Sequence, residues 1–496
     1  MTKADPAWAA DAADFLIVGA GAAGCVLARR LAERTGAVVV LLEAGSEPDR
    51  DAAPDGWRLG KPADWDFESE PDASGSTGRL RRGRLLGGTS WLTRFAVRGA
   101  AADFDAWAAR GNPGWAWTDV LPAFRRLETD AEFADRSWHG GEGPFPVTRY
   151  PALPRSEIHL ATIEALRAGG FEDVEDHNDG TSIGVGRMPM SVSDGSRVTS
   201  YEAYLPAGGR PPNLVIRTGA EVDRVVLEGG RAVGVRLIDG SEVHASTVIL
   251  AAGTYGSPSI LMRSGIGPAD QLQDVGIPVQ IGLPGVGANL ADHPGVDFDT
   301  GWRGAGTSGP LLHTIATFRS EQNAAGGPPD LMFWITDPDA VDPGFYLDPI
   351  LLKPAARGTI RLRSPRPTDP PRIRLPAVAE PIDLDRIADA YRRAVEIANR
   401  PEVRSLCPEP APAMPADPVE MKRRIVDNAY SMPHVVGTCR MGPSPELGDV
   451  VDHLGRVHGV EALHVIDASI IPDPPSGFPH VITIMAAEHL AARLSP

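Results

Sequence analysis

Two sets of residues in this chain have the types and spacing to do chemistry. The run Gly19-Ala20-Gly21-Ala22-Ala23-Gly24 fits G-x-G-x-x-G, with Glu43 further on. Glycines so placed allow a tight turn, close approach of backbone to a pyrophosphate, and close helix–strand packing. A carboxylate at Glu43 can accept hydrogen bonds from ribose hydroxyls and repels a 2′-phosphate. This constellation reads as a dinucleotide site without choosing between NAD and FAD. The second set is drawn from twelve histidines. His434 opens His-Val-Val-Gly-Thr, and His480 closes Ser-Gly-Phe-Pro-His. A neutral imidazole, with an unperturbed pKa of about 6.5, suits removal of a hydroxyl proton. A second imidazole can fix that hydroxyl and stabilise charge developing on its oxygen. Spacing by itself leaves either histidine free to be structural.

The elements around these residues are those that the chemistry needs. Residues 15–18 (FLIV) are a continuous apolar run, as expected of a strand buried on both faces. A helix follows at 25–34, then a second buried strand at 37–42 that closes on Glu43. This is a βαβ unit in about 30 residues. Residues 50–150 read as irregular, with a helix over 118–128 capped by Thr118. Another helix is expected within 156–170. From Asn213 the pattern turns β-rich, with hairpin signals at Gly229-Gly230 and Asp239-Gly240. The run 247–253 (TVILAAG) is expected to rejoin the parallel sheet. Residues 300–430 are Pro-rich, with β-like 358–364 and a helix over 383–400. A last strand at 463–466, a loop, and a closing helix over 483–494 complete the pattern.

Composition narrows the function. The 496 residues are 42% hydrophobic and 23% charged, ordinary globular usage. The formal charge of −17 offers nothing to grip a phosphate backbone or an anionic bilayer, so no nucleic-acid partner is expected. No apolar run reaches the roughly 18 residues of a membrane span, and the acidic N-terminus lacks a signal-peptide pattern. A cytoplasmic location is the default. Cys25, Cys407 and Cys439 form neither a disulfide framework nor a metal motif, and no metal site is expected.

Further glycine loops decide between cofactors. Arg82-Gly83-Arg84-Leu85-Leu86-Gly87-Gly88-Thr89-Ser90 is one. Gly253-Thr254-Tyr255-Gly256-Ser257-Pro258, running to Ser264-Gly265-Ile266-Gly267, is another. Asn289-Leu290-Ala291-Asp292-His293 and Asp467-Ala468-Ser469 complete the set. With these, the chain resembles the glucose–methanol–choline (GMC) oxidoreductases over nearly its whole length. Thr93 stands where members of that family usually carry Asn, and the loop before Val97-Arg98-Gly99 is one residue shorter.

The resemblance implies an α/β fold: a Rossmann-like FAD-binding domain discontinuous in sequence, and an α+β substrate domain with an antiparallel sheet. The FAD-binding pieces would be 1–149, 206–299 and 436–496, and the substrate pieces 150–205 and 300–435. It implies one FAD held by Gly19, Gly21, Ala22, Gly24 and Glu43, and because the loop from Gly87 to Gly99 has no His or Cys the FAD is expected to be non-covalent. Gly87, Gly88, Thr89 and Thr93 would line the flavin loop, Val222 would hold the adenine, and Asp467 and Ala468 would approach from the last strand. It implies His434 as active-site base and His480 as its partner, with His293 in a structural or flavin-side role. The implied reaction is oxidation of a small-molecule alcohol to an aldehyde or ketone, with O₂ or another carrier as electron acceptor. The alternatives are a redox-silent lyase of the hydroxynitrile type and a flavin-binding electron relay.

Overall fold

The structure, a computed structural model, describes residues 13–48, 62–71, 77–150, 155–181, 183–304, 312–323, 327–338, 342–375, 378, 380–407, 413–415 and 417–494. The acidic N-terminal stretch lies outside them. Its first sheet is built from β1 (Ala13–Val18), β2 (Val39–Leu42), β3 (Leu214–Arg217), β4 (Val222–Glu228), β5 (Arg231–Leu237), β6 (Glu242–Leu250) and β7 (Leu463–Val465). The order is β3-β2-β1-β6-β5-β4, with β7 also on β6. β1 is parallel to β2 and to β6, and β2 is parallel to β3. The long β6 joins a parallel and an antiparallel part of this sheet. Its start pairs antiparallel with β5, and its end pairs parallel with β1 and β7. Strands from the beginning, middle and end of the chain thus share one sheet. The residues from Phe15 to Val18 are all buried, which explains their lack of polar alternation. The hairpin glycines Gly229 and Gly230 both take positive φ, as a tight turn between β4 and β5 requires.

Three helices meet this sheet at the site. α1 (Ala22–Thr35) begins on the first glycine loop. α2 (Gly253–Arg263) is where a third glycine loop was expected; the loop reading fails because the GTYGSPSILMR run is helical despite Pro258. α3 (Pro479–Ala491) starts four residues earlier than expected. Pro479 at its first position is preorganised for a helix start, and the β-branched residues after it mask the helical pattern. The helix at Trp117–Leu127 is capped at Ala116 rather than Thr118, because the Asp119 carboxylate reaches back to the Ala116 N–H at 3.2 Å.

A second sheet runs Ala429–Ser431, Pro294–Val296, Gly344–Leu351, Leu331–Thr336, Thr314–Phe318, Gly184–Arg187, Asp173–Val174. It therefore combines strands at 173–187 with strands from Pro294 onward. One face packs under the helix Pro381–Ala398, with Phe298 against Tyr391 at 5.3 Å. The other face carries Phe95, Trp334, Met432 and Phe478 in one buried cluster facing the site. The hairpin of Thr359–Arg361 and Arg372–Arg374 belongs with the first sheet, since Ile360 and Ile373 are buried in that core.

A buried charge network braces the segment between the sheets. Arg98 pairs with Glu128, Arg149 with Asp130 and Asp176. His139 bridges Glu128 through Nδ1 and Asp176 through Nε2, both at 2.7 Å. Burial opposes charge on His139, but Asp176 and Glu128 outweigh it and raise its pKa. Burial likewise opposes charge on Asp176, and His139 with Arg149 overcomes it and holds that carboxyl low. His139 therefore adds stability that is complete below its unfolded value of about 6.5 and is lost as pH rises through the raised folded value. Asp176 adds stability present above its unfolded value of about 4 and lost as pH falls through the depressed one. The network should be strongest between about pH 5 and 6.5. We expect the melting temperature to fall as pH rises from there, and His139→Gln to flatten that fall; an unchanged slope in thermal melts would count against it.

Candidate active site

The glycine loop lies where β1 ends and α1 begins. Gly19 takes φ +98°, and a Cβ there would meet the Ala251 carbonyl oxygen at 2.6 Å. Gly24 packs against the strand so closely that a Cβ would meet Gly19 O at 1.8 Å. Gly21 differs: among the described residues nothing lies within 4 Å of a Cβ built on it. The space over Gly21 and the free amides at the start of α1 form a cradle for an anion. Gly88 closes the same space, since a Cβ on it would meet Gly21 Cα at 2.8 Å.

Glu43 is buried, and its two oxygens accept the N–H groups of Ala20 and Gly45, each at 2.9 Å. Burial pushes its carboxyl up to about 7 against the pull of those amides and of Arg84. Its contact with the glycine loop was not legible from spacing. Asp467 is also buried. It accepts the Gly253 N–H and Ser257 hydroxyl on one oxygen and Ser469 on the other. The side chain thus pins the start of α2 to the end of β7, and burial raises its pKa.

The segment carrying His434 is held by three braces. Ala291 and Val436 exchange backbone hydrogen bonds at 3.1 and 3.0 Å. Gly437 takes φ +92°, and a Cβ there would meet Asn289 O at 2.6 Å. The third brace uses Pro258 in α2, which has no N–H to offer the Thr254 carbonyl four residues back. The Thr438 hydroxyl donates to that carbonyl at 2.6 Å, and the Thr254 hydroxyl donates to Val435 O at 2.9 Å. The backbone N–H of His434 donates to Asp292 Oδ1 at 2.6 Å. The His434 ring lies 4.9 Å from that of Phe478, and its Nδ1 is 3.1 Å from His293 Nδ1. Burial, then His293 and Arg82, hold the His434 pKa well below its usual value. Burial pushes Asp292 up to about 6.

His480 sits in the first turn of α3, its ring 5.6 Å from that of Phe145. Neither ring nitrogen meets a partner of good hydrogen-bond geometry among the described residues. Burial lowers its pKa to about 4, offset in part by the Phe95 carbonyl.

One cavity of about 1000 Å³ gathers these residues at the carboxyl ends of β1, β2 and β6. Gly19, Gly21, Ala22, Glu43, Gly88, Thr89, Thr93, Val222, His434, Asp467, Ala468 and His480 all line it. Gly24 and Gly87 do not; both are packing glycines, Gly87 against Trp91 and Tyr201. Sequence reasoning assigned no role to Arg82, Tyr255, Asp292 or Phe478, which also line the cavity. Their only signal was proximity to the glycine-rich loops and to the two histidines. The cavity's size, the open cradle over Gly21 and the orphaned imidazole of His480 fit FAD. No helix among the described residues is long and apolar enough to cross a membrane.

Comparison with known proteins identifies the family. GMC oxidoreductase family profiles match residues 13–295 and 354–487. The 5-(hydroxymethyl)furfural oxidase of Methylovorus sp. is 32% identical, over 96% of this chain and 98% of that protein. The oxygen-dependent choline dehydrogenase of Pseudomonas aeruginosa is 33% identical, over 97% of this chain and 94% of that protein. The crystal structure of pyridoxine 4-oxidase from Mesorbium loti superposes with a TM-score of 0.89 at 33% identity, covering 97% of this chain and 99% of that one. Matched from end to end by such relatives, the chain belongs to the GMC oxidoreductases and is an FAD-dependent enzyme that oxidises alcohols.

Proposed function

We propose that this enzyme oxidises a hydroxymethyl group on an aromatic ring to the aldehyde, with His434 as base and His480 as its partner. The observation that carries the reading is the convergence of both imidazoles on one cavity whose walls include Phe67, Phe95, Tyr255, Tyr430 and Phe478. Aromatic walls take a planar ring by stacked or edge contacts worth about 0.5–1.5 kcal/mol beyond area burial. The substrates named for two of the relatives, 5-(hydroxymethyl)furfural and pyridoxine, carry such a group. Choline, named for the third, is a cation. Arg82, whose guanidinium donates to the Pro433 carbonyl at 3.2 Å, places positive charge beside His434 and disfavours a quaternary ammonium.

The loop of Gly19, Gly21 and Ala22 would take the pyrophosphate at the start of α1, with Glu43 turned to the ribose and the Val222 backbone to the adenine. Gly88, Thr89 and Thr93 would flank the flavin, with Ala468 closing from the other side. Bound FAD supplies the acceptor for the hydride, at N5. His434 takes the hydroxyl proton: the substrate O–H bond breaks and an N–H bond forms on its ring. His480 donates to the same oxygen and stabilises the charge left on it. The FAD-binding unit is drawn from the first, third and last pieces of the chain, and the second sheet frames the substrate side. O₂ is the proposed electron acceptor, and the three buried free thiols suit a cytoplasmic setting.

Anaerobic mixing with benzyl-type alcohols tests the reading. The flavin's visible band should bleach, at least tenfold faster than with choline at equal concentration. A band untouched by any alcohol would favour the redox-silent lyase or the electron relay. The same preparation tests non-covalent attachment. The loop from Gly87 to Gly99 contains no His or Cys, so acid precipitation should leave the yellow colour in the supernatant.

A further inference from the structure

We propose that His293 is a positioning residue for His434. It holds His434 as the Nδ1–H tautomer, so that Nε2 turns its lone pair to the cavity, and it accepts the Nδ1–H bond of the imidazolium that forms. This rests on the reading of His434 as the base.

The two Nδ1 atoms lie 3.1 Å apart with the rings edge to face, 89° between planes. A hydrogen bond between like nitrogens needs one protonated and one bare. The surroundings of His293 decide which. The ring is fully buried, and the carbonyls of Leu352 and Pro475 lie near it, although Nε2 makes no hydrogen bond of good geometry among the described residues. The Lys353 ammonium, held by Asp103 Oδ1 at 2.7 Å, opposes a positive charge on it. His293 is therefore neutral, with one ring proton. Because Nδ1 faces His434 and the other neighbours are carbonyls, that proton belongs on Nε2. Nδ1 is then an acceptor, and His434 must donate. His434 keeps its lone pair on Nε2, which has no hydrogen-bond partner among the described residues.

Asp292 keeps the pair in register. Its Oδ1 accepts the backbone N–H of His293 at 2.8 Å and of His434 at 2.6 Å, and Ser431 donates to its other oxygen. The charged groups facing His434 are Arg82 and Asp292, with Phe478 packed on its ring. The arrangement resembles the orienting carboxylate of a hydrolase triad in geometry, with a neutral partner in its place. During proton uptake the substrate O–H bond breaks and the His434 Nε2–H bond forms. The Nδ1–H bond to His293 is present before and after, and it strengthens as its donor becomes charged.

The test compares acceptors at one position in the FAD-loaded enzyme. Asn places a carbonyl oxygen where His293 has Nδ1, Leu has the shape without an acceptor, and Gln moves the polar group to the Nε2 position. Anaerobic flavin reduction by a benzyl-type alcohol is followed against pH. We expect His293→Leu and His293→Gln to slow reduction about 10–100-fold, the range of a hydrogen bond to a charged group. His293→Asn should stay within about fivefold, because its carbonyl oxygen restores the acceptor. On a His434→Ala background, His293→Leu should cost nothing further. Equal rates for Asn, Gln and Leu, or full additivity with His434→Ala, would overturn the proposal. If Leu does not fold with FAD, the Asn–Gln ratio decides alone. A His434→Ala enzyme as fast as its parent removes the base itself. A slow His434→Ala with a fast His293→Leu removes only the positioning role.

Discussion

His434→Ala should lower the rate of anaerobic flavin reduction by about 10²–10⁴-fold, the usual contribution of a positioned base. His480→Asn should lower it only about tenfold, roughly 1.4 kcal/mol of transition-state stabilisation, because an amide still donates to the substrate oxygen. Both variants should keep FAD and nearly the parental melting temperature, since the His434 segment is held by the Ala291–Val436 backbone bonds and the Thr438 hydroxyl, and the His480 ring makes no hydrogen bond of good geometry among the described residues. The pH dependence follows from the direction of the shift. Burial, His293 and Arg82 hold His434 neutral well below its ordinary pKa. Reduction should therefore be flat through neutral pH and fall only on the acid side, as His434 is protonated. Stopped-flow reduction of each variant between pH 5 and 9 is the measurement. A His434→Ala enzyme that keeps the parental rate would make this histidine structural.

Two glycines three residues apart, Gly21 and Gly24, should fail in different ways. Gly24→Ala forces a Cβ against the Gly19 carbonyl at 1.8 Å, a backbone contact with no flexible side chain to give way. Overpacking of this kind costs about 1–3 kcal/mol or more. The protein should melt lower and emerge with little flavin. Gly21→Ala meets no atom of the described residues within 4 Å, so the apoprotein should melt as the parent does. Its methyl group enters the cradle instead, and FAD affinity should drop at least tenfold. The ratio of visible to ultraviolet absorbance and apoprotein melts separate the two. Gly21→Ala protein that retains FAD like its parent would show that the cofactor does not approach this loop.

Much of the scaffold was legible because its signals are local. β1 and β2 announce themselves as unbroken apolar runs, since a strand covered on both faces has no polar side to show. The turns at Gly229-Gly230 and Asp239-Gly240 are written in residues that accept positive φ. Helix starts were less legible. Thr118 was a plausible cap by type, but Asp119 supplies the bond that sets the start at Ala116. α2 was hidden by Gly and Pro, which local propensity counts against a helix. The Thr438 hydroxyl, remote in sequence, satisfies the carbonyl that Pro258 leaves open.

The division at the site follows the same physics. Residue type and neighbouring residues were enough to single out the glycine cradle, Glu43, His434 and His480 as the groups with usable chemistry. Which neighbours tune them was decided only in three dimensions. Asp292 and His293 reach His434 across more than a hundred residues of chain, and Phe478 reaches it from the far side of the second sheet's apolar face. Glu43 and Asp467 spend their oxygens on backbone amides and hydroxyls that no spacing rule names. Hydrogen bonds and pKa values depend on distances of a few ångströms and on exclusion of water. Those quantities exist only once the two sheets have closed around the cavity.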